Sequence, residues 1–209
     1  MKKTHQKKQS ASGCILPVLF FLCFILYIAS SNMEFFPIDI SFTEKELQEE
    51  YPMLLQTDRR WKEEPYGNSS MEISGCGPTC LSMVILMQTE HTSFTPDRVA
   101  AYANKRGYYQ TGVGTSWNFF TEGARHFDLY GREISPGQTR ILNHLKQGHP
   151  IICSMGPGTF TDTGHFILLA GEKNGKIIVR DPNSRARSAK LWDYYDIESE
   201  VRNMWVYTD

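Results

Sequence analysis

Net charge is almost absent from this chain: 22 lysines and arginines stand against 23 aspartates and glutamates, leaving −1 at neutral pH. The imbalance that exists sits at the start, where residues 1 to 32 hold Lys2, Lys3, Lys7 and Lys8 and no acid, so the remainder carries −5. Nothing in that remainder resembles the basic face of a nucleic-acid-binding protein. Cysteine is also scarce. Cys14 and Cys23 fall in an apolar stretch near the N-terminus, which leaves Cys76, Cys80 and Cys153. Three thiols cannot all pair, so at least one stays free even in an oxidising compartment, which suits a reactive cysteine better than a disulfide framework. Cys76 and Cys80 lack the C-x₂-C spacing usual for zinc, although with His165 they remain a three-ligand alternative. No internal repeat or low-complexity tract is visible. A hydrophobic content of 41% with 12% aromatics suits one compact domain plus an N-terminal segment.

That segment has the character of a membrane signal. Residues 14 to 30 are uncharged and mostly apolar, and they follow a lysine-rich start. Their length reaches the lower end of the ~17–25 residues that span a bilayer, and the lysines favour a cytoplasmic N-terminus with the domain outside. We expect residues 1–32 to be a basic tail and an uncleaved single-pass anchor. A signal peptide cut near Ala29-Ser30-Ser31, giving a secreted protein, is the alternative. Residues 33–53 read as a stalk whose Thr43 to Glu50 run is a solvated, polar turn of helix, and residues 54–209 as the domain.

Within the domain the most informative stretch is Ser74-Gly75-Cys76-Gly77-Pro78-Thr79-Cys80-Leu81. Pro78 suits a first helical turn, and Leu81, Val84 and Ile85 follow at helical spacing, so a helix is expected to open beside Cys76. Unpaired amides and the positive end of the dipole favour a thiolate there. Gly75 and Gly77 read as clearing room for a substrate. Cys80, one turn further on, reads as core.

A cysteine nucleophile needs a base held by a third group. His165 opens an apolar run between Gly164 and Gly171, and Asp181 closes the run Lys176-Ile177-Ile178-Val179-Arg180 before Pro182. Both runs read as strands, and Asn174-Gly175 between them signals a hairpin. Register then decides the chemistry. A two-residue loop pairs Asp181 with Leu168, on the face opposite His165, whereas an odd loop pairs it with Ile167 and makes His165 and Asp181 diagonal neighbours. We expect the odd loop.

Further helices are expected from Thr95-Pro96 to about Gly107, from Ser116 to Phe127, and from Ser135-Pro136 to Gly148, followed by a strand over Pro150 to Met155. Helices first and strands later make an α+β domain, with the nucleophile on the helical side, the base on the sheet and a cleft between them.

Taken together, Leu55-Gln56, Trp61, Tyr66-Gly67, Gly75-Cys76-Gly77-Pro78-Thr79, Gly148-His149-Pro150, Gly164-His165-Phe166, Asp181-Pro182-Asn183 and Trp205-Val206-Tyr207 occur in an order that resembles the papain-like cysteine peptidases related to the bacteriocin-processing, double-glycine leader peptidases. The likeness is to their single-domain secreted branch. It implies a papain-like fold, with the nucleophile at the start of a central helix packed on an antiparallel sheet. It further implies Cys76 as nucleophile, His165 as general base and acid, Asp181 as the group orienting the imidazole, and a glutamine donating to the oxyanion, for which Gln56 is the best match. Two departures stand out. Gly75 precedes Cys76 where transporter-linked members commonly carry an acid, and Gln56 lies twenty residues upstream instead of close by. With no room for the transporter and ATPase that accompany leader processing, leader-peptide substrates are not implied.

The expectation is therefore an extracytoplasmic thiol hydrolase of peptide bonds that needs no cofactor or metal and takes a peptide or protein substrate. A peptide-binding module that lost turnover, and a cell-wall amidase or transferase using the same residues, are the alternatives.

Overall fold

The structure, a computed structural model, describes residues 40–208. The expected anchor over residues 1–32 and the first part of the stalk lie outside the described residues. Among the described residues no helix is long and apolar enough to cross a membrane.

The helix Cys76–Gln88 begins directly after Gly75, with Pro78 in its first turn where a missing amide costs nothing. Residues Gly77 to Ile85 are all buried. A helix apolar all round belongs in an interior, and this one packs against both the helix Pro96–Lys105 and the sheet.

The described residues hold ten strands, in chain order β1 (Pro65–Tyr66), β2 (Ser69–Ser70), β3 (Tyr109–Gln110), β4 (Gly114–Thr115), β5 (Gly131–Glu133), β6 (Ile151–Met155), β7 (His165–Lys173), β8 (Lys176–Arg180), β9 (Leu191–Trp192) and β10 (Val201–Tyr207). β1 with β2, and β3 with β4, make two small hairpins, while the other six form one antiparallel sheet in the order β5-β10-β6-β7-β8-β9. Its central strands are covered on both faces. Alternation sends Ile152, Phe166 and Leu168 into the core shared with the central helix, and Ile151, Cys153, Ile167 and Leu169 into a second core closed by the helix Gln138–Lys146. Burial on both faces is why these strands read as continuous apolar runs.

The β7-β8 hairpin departs from expectation in an instructive way. Lys173 pairs with Lys176, so the loop is the two-residue Asn174-Gly175 with positive φ at both positions (56° and 77°), as a type I′ turn requires. The register then slips between Leu169 and Gly171, where Ala170 is an extra residue, and Leu168 pairs with Arg180. Continued by one residue, that register sets Asp181 opposite Ile167, on His165's side of the strand. A β-bulge, not an odd loop, brings the two residues together.

Three other expectations need correction. The stretch before residue 54 is no free stalk: Glu44–Gln48 is a helical turn capped by Thr43 and Glu46, Phe42 is buried in the central-helix core, and Arg60 holds both Glu46 and the Ser41 carbonyl. Residues 116 to 127 form two 3₁₀ turns, Trp117–Phe120 and Gly123–Phe127, because Phe119, Phe120, Ala124 and Phe127 must all reach the core from a short segment. The helix after Pro136 starts two residues later, at Gln138.

Candidate active site

The central helix delivers Cys76 as its first residue, partly exposed, at the bottom of a cleft. Both flanking glycines are fixed by packing instead of by room for substrate. A Cβ on Gly75 would strike the Met71 carbonyl and side chain, and one on Gly77 would strike Thr115, the β4 residue whose hydroxyl bonds that of Tyr66 at 2.7 Å. The motif holds the helix start tightly between its preceding turn and the β3-β4 hairpin.

His165, the first residue of β7, lies beside Cys76 and is 7% exposed. Its Nε2 is 2.8 Å from Asp181 Oδ1, which leaves the other ring nitrogen to serve the neighbouring Cys76 thiol. Burial favours the neutral imidazole, but the hydrogen bonds to Asp181 and Cys76 outweigh it and raise His165 to about 9. Burial pushes the Cys76 thiol up, yet the hydrogen bond from His165, the imidazolium charge and the amides of Phe166 and Gly77 carry it below the ordinary thiol value. The two shifts run in the directions that favour a thiolate beside an imidazolium.

Asp181 is fully buried. Burial opposes its charge, but the bonds from His165, Arg187 and the Asn183 amide hold its carboxyl below the usual range. Its own amide donates to Ser188 Oγ at 2.8 Å.

Gln56 also reaches the site. It is 2% exposed, its amide donates to the Pro182 carbonyl at 2.8 Å, and its Nε2 donates to the Glu72 carbonyl at 2.7 Å. Nε2 carries two hydrogens and Glu72 uses one. Gln56 lines the same lobe of the cleft as Cys76 and His165. All four site residues anticipated from the sequence thus come together. Cys80 and Cys153 do not: both are fully buried, and burial pushes both thiols up. Among the described residues no group of three histidines, cysteines or acids is placed to hold a metal ion.

The cleft has two lobes meeting at Cys76 and His165, of about 610 and 510 Å³. The walls differ. Ile73, Val113 and Trp117, exposed by 75%, 74% and 47%, edge the larger lobe, while Gln56, Asn183, Arg187 and the segment Gly158 to Gly164 line the smaller. That segment is tethered by Glu200, whose carboxylate accepts the amides of Thr159 at 2.7 Å and Phe160 at 3.3 Å. Arg187 and Glu200 escaped the sequence reading. A signal for Arg187 existed in Ser184, which caps the helical turn Arg185–Ser188 and accepts the Arg187 amide; nothing local pointed to Glu200.

No curated protein matches the chain. Among solved structures it is similar to the peptidase domain of Streptococcus ComA, a bifunctional ABC transporter involved in a quorum-sensing pathway, at 21% identity and a TM-score of 0.47 over 64% of this chain and 90% of that one. It is also similar to a putative C39-like peptidase from Bacillus anthracis, at 14% identity and a TM-score of 0.43 over 76% of this chain and 94% of that one. The model of the Peptidase_C39 like family matches residues 48–209, well over half of the chain, and the chain belongs to that family of papain-like α+β peptidases.

Proposed function

We propose that the chain is a cysteine peptidase of the extracytoplasmic face, held to the membrane by its N-terminal segment, and that Cys76, His165 and Asp181 carry its chemistry. The observation that supports this most is the unbroken line of side chains from Cys76 through His165 to Asp181 at the junction of two cleft lobes. Cys76 thiolate attacks the carbonyl carbon of a peptide bond, and the carbonyl π electrons move onto oxygen. The first-turn amides of the central helix and the remaining hydrogen of Gln56 Nε2 receive that oxyanion. As the tetrahedral intermediate collapses, the C–N bond breaks and the imidazolium of His165 gives its proton to the leaving amine. Neutral His165 then takes a proton from water, whose oxygen attacks the thioester, and the carboxylate product leaves with the thiolate restored. Asp181 holds the ring orientation throughout.

The test is hydrolysis of a mixed peptide library by the full chain in detergent, beside Cys76→Ala. Products with new amino termini from the wild type and none from the variant support the reading. Saturable peptide binding without product would instead favour a binding module, and fragments released only from peptidoglycan a cell-wall amidase.

A further inference from the structure

Behind the three residues stands a fourth. We propose that Arg187 is a positioning residue of this site, keeping buried Asp181 charged and oriented whatever the protonation state of His165. The inference rests on the thiolate-imidazolium reading of the site but not on hydrolysis.

Asp181 has no contact with solvent, and a buried carboxylate needs compensating charge and hydrogen bonds. Its Oδ1 accepts His165 Nε2 and the Asn183 amide, each at 2.8 Å, and its Oδ2 accepts Arg187 Nε. His165 alone is an unsteady counter-ion, because its role in catalysis is to lose its proton to the leaving amine. At that moment Asp181 would face a neutral ring. A guanidinium does not titrate in this range, so Arg187 supplies a constant positive charge where the imidazolium supplies an intermittent one. Charge then alternates along Cys76, His165, Asp181 and Arg187.

Arg187 is itself held from several directions. Ser184 Oγ accepts its amide at 3.1 Å and its carbonyl accepts Trp192 Nε1 at 2.9 Å. Its guanidinium carbon lies 6.0 Å from the centre of the Phe160 ring. The side chain is 27% exposed, on the smaller lobe of the cleft. The charged and titratable groups that act on the pair are few. Cys76 and Asp181 act on His165; His165 and Arg187 act on Asp181; and Cys76 has Tyr66 and Cys80 nearby, both raised and so neutral at working pH.

Removing the Arg187 charge makes the site more negative. Both the thiolate and neutral imidazole are then disfavoured, so both limbs of a reactivity profile move to higher pH. The experiment is the pH dependence of Cys76 alkylation by iodoacetamide in the full chain, with Arg187→Gln and Arg187→Lys beside wild type and melting temperatures as a control. We expect Arg187→Gln to displace both limbs upward, so that on the rising low-pH limb it labels more slowly than wild type by on the order of tenfold. Arg187→Lys, which keeps the charge but loses the directed Nε bond, is expected to keep the limbs in place while labelling a few-fold more slowly. An Arg187→Gln profile that superimposes on wild type, at any melting temperature, overturns the proposal. If that variant does not fold, an Arg187→Lys profile displaced upward does the same. Because alkylation does not require turnover, absence of peptide hydrolysis would leave this result standing and count against the peptidase reading alone.

Discussion

His165, opening β7, and Asp181, just past the end of β8, stand 2.8 Å apart, and the two-residue turn joining these strands would separate them were it not for the extra residue Ala170. The hydrogen bond links a group that must exchange a proton to one that keeps its charge. His165→Ala is expected to lower kcat/KM by about 10²- to 10⁴-fold, the range for a lost general acid-base residue. Asp181→Asn keeps the shape and removes the charge, so it is expected to cost less. A steady-state comparison of the two against one peptide checks the order, and a larger loss for Asp181→Asn would contradict it.

Thiol reactivity separates the three described cysteines. Cys76 is held below the ordinary thiol value by His165 and two amides, whereas Cys80 and Cys153 are pushed up by burial. At pH 6 an ordinary thiol of pKa ~8.5 is almost wholly protonated, so iodoacetamide is expected to modify Cys76 well ahead of the other two. Peptide mapping after a short exposure reads this directly. Equal, slow labelling of all three would point to an inert core thiol.

Folding stability carries a second signature of the pair, and its sign depends on both members. His165, raised to about 9, contributes stability that is full below its unfolded value of ~6.5 and is lost as pH rises towards 9. Cys76, lowered, contributes stability that grows as pH rises towards its unfolded value of ~8.5. Between about pH 6.5 and 8.5 the two slopes oppose each other, so the wild type is expected to vary less with pH than either group alone would dictate. Cys76→Ala removes the opposing slope together with part of what raises His165, leaving the Asp181 bond to raise it, and is expected to lose stability as pH rises above ~6.5. Melting temperatures at half-unit intervals test this; parallel curves would refute it.

The start of the folded region is testable by truncation. Phe42 is buried, Arg60 binds Glu46, Arg180 Nε donates to the Tyr51 carbonyl at 2.9 Å, and a Cβ on Gly171 would collide with the Tyr51 ring. A chain beginning at residue 40 is therefore expected to melt higher than one beginning at residue 54, with the loss of Phe42 burial alone worth about 1.5–3 kcal/mol. Equal melting temperatures would restore the stalk.

How much of this could be read from the sequence depended on how locally each feature is specified. The helix at Cys76 was legible because glycine, proline and apolar spacing all act within a few residues, and the strands of His165 and Asp181 because double burial leaves an unbroken apolar run. Register was not legible. Asn174-Gly175 correctly marked a tight turn, but nothing local marks the slip at Ala170, which lies beside Gly171 where Tyr51 packs from far along the chain. The two 3₁₀ turns of residues 117–127 were hidden for the same reason: Phe119, Phe120 and Phe127 are placed by the core they fill. Gln56 was found only through the order of motifs, since no nearby residue marks it as part of a site, and its neighbours there are Pro182 and Glu72.

The Glu200 tether gives the cleft one stiff jaw and one compliant jaw. Gly158 and Phe160 cannot swing outward without freeing two amides and the Gly156 amide that binds the Glu200 carbonyl at 2.7 Å, and without pulling the Phe160 ring from its tilted contact with Trp192. The opposite jaw, at Val113, is a hairpin of two-residue strands with Gly112 and Gly114 both at positive φ and open space around each. We therefore expect ligands of different girth to be accommodated at the tip of the Val113 hairpin, whose base is packed at Tyr109 and Thr115, while the side that leads into His165 stays put, so that accommodation of bulk is decoupled from alignment of the base.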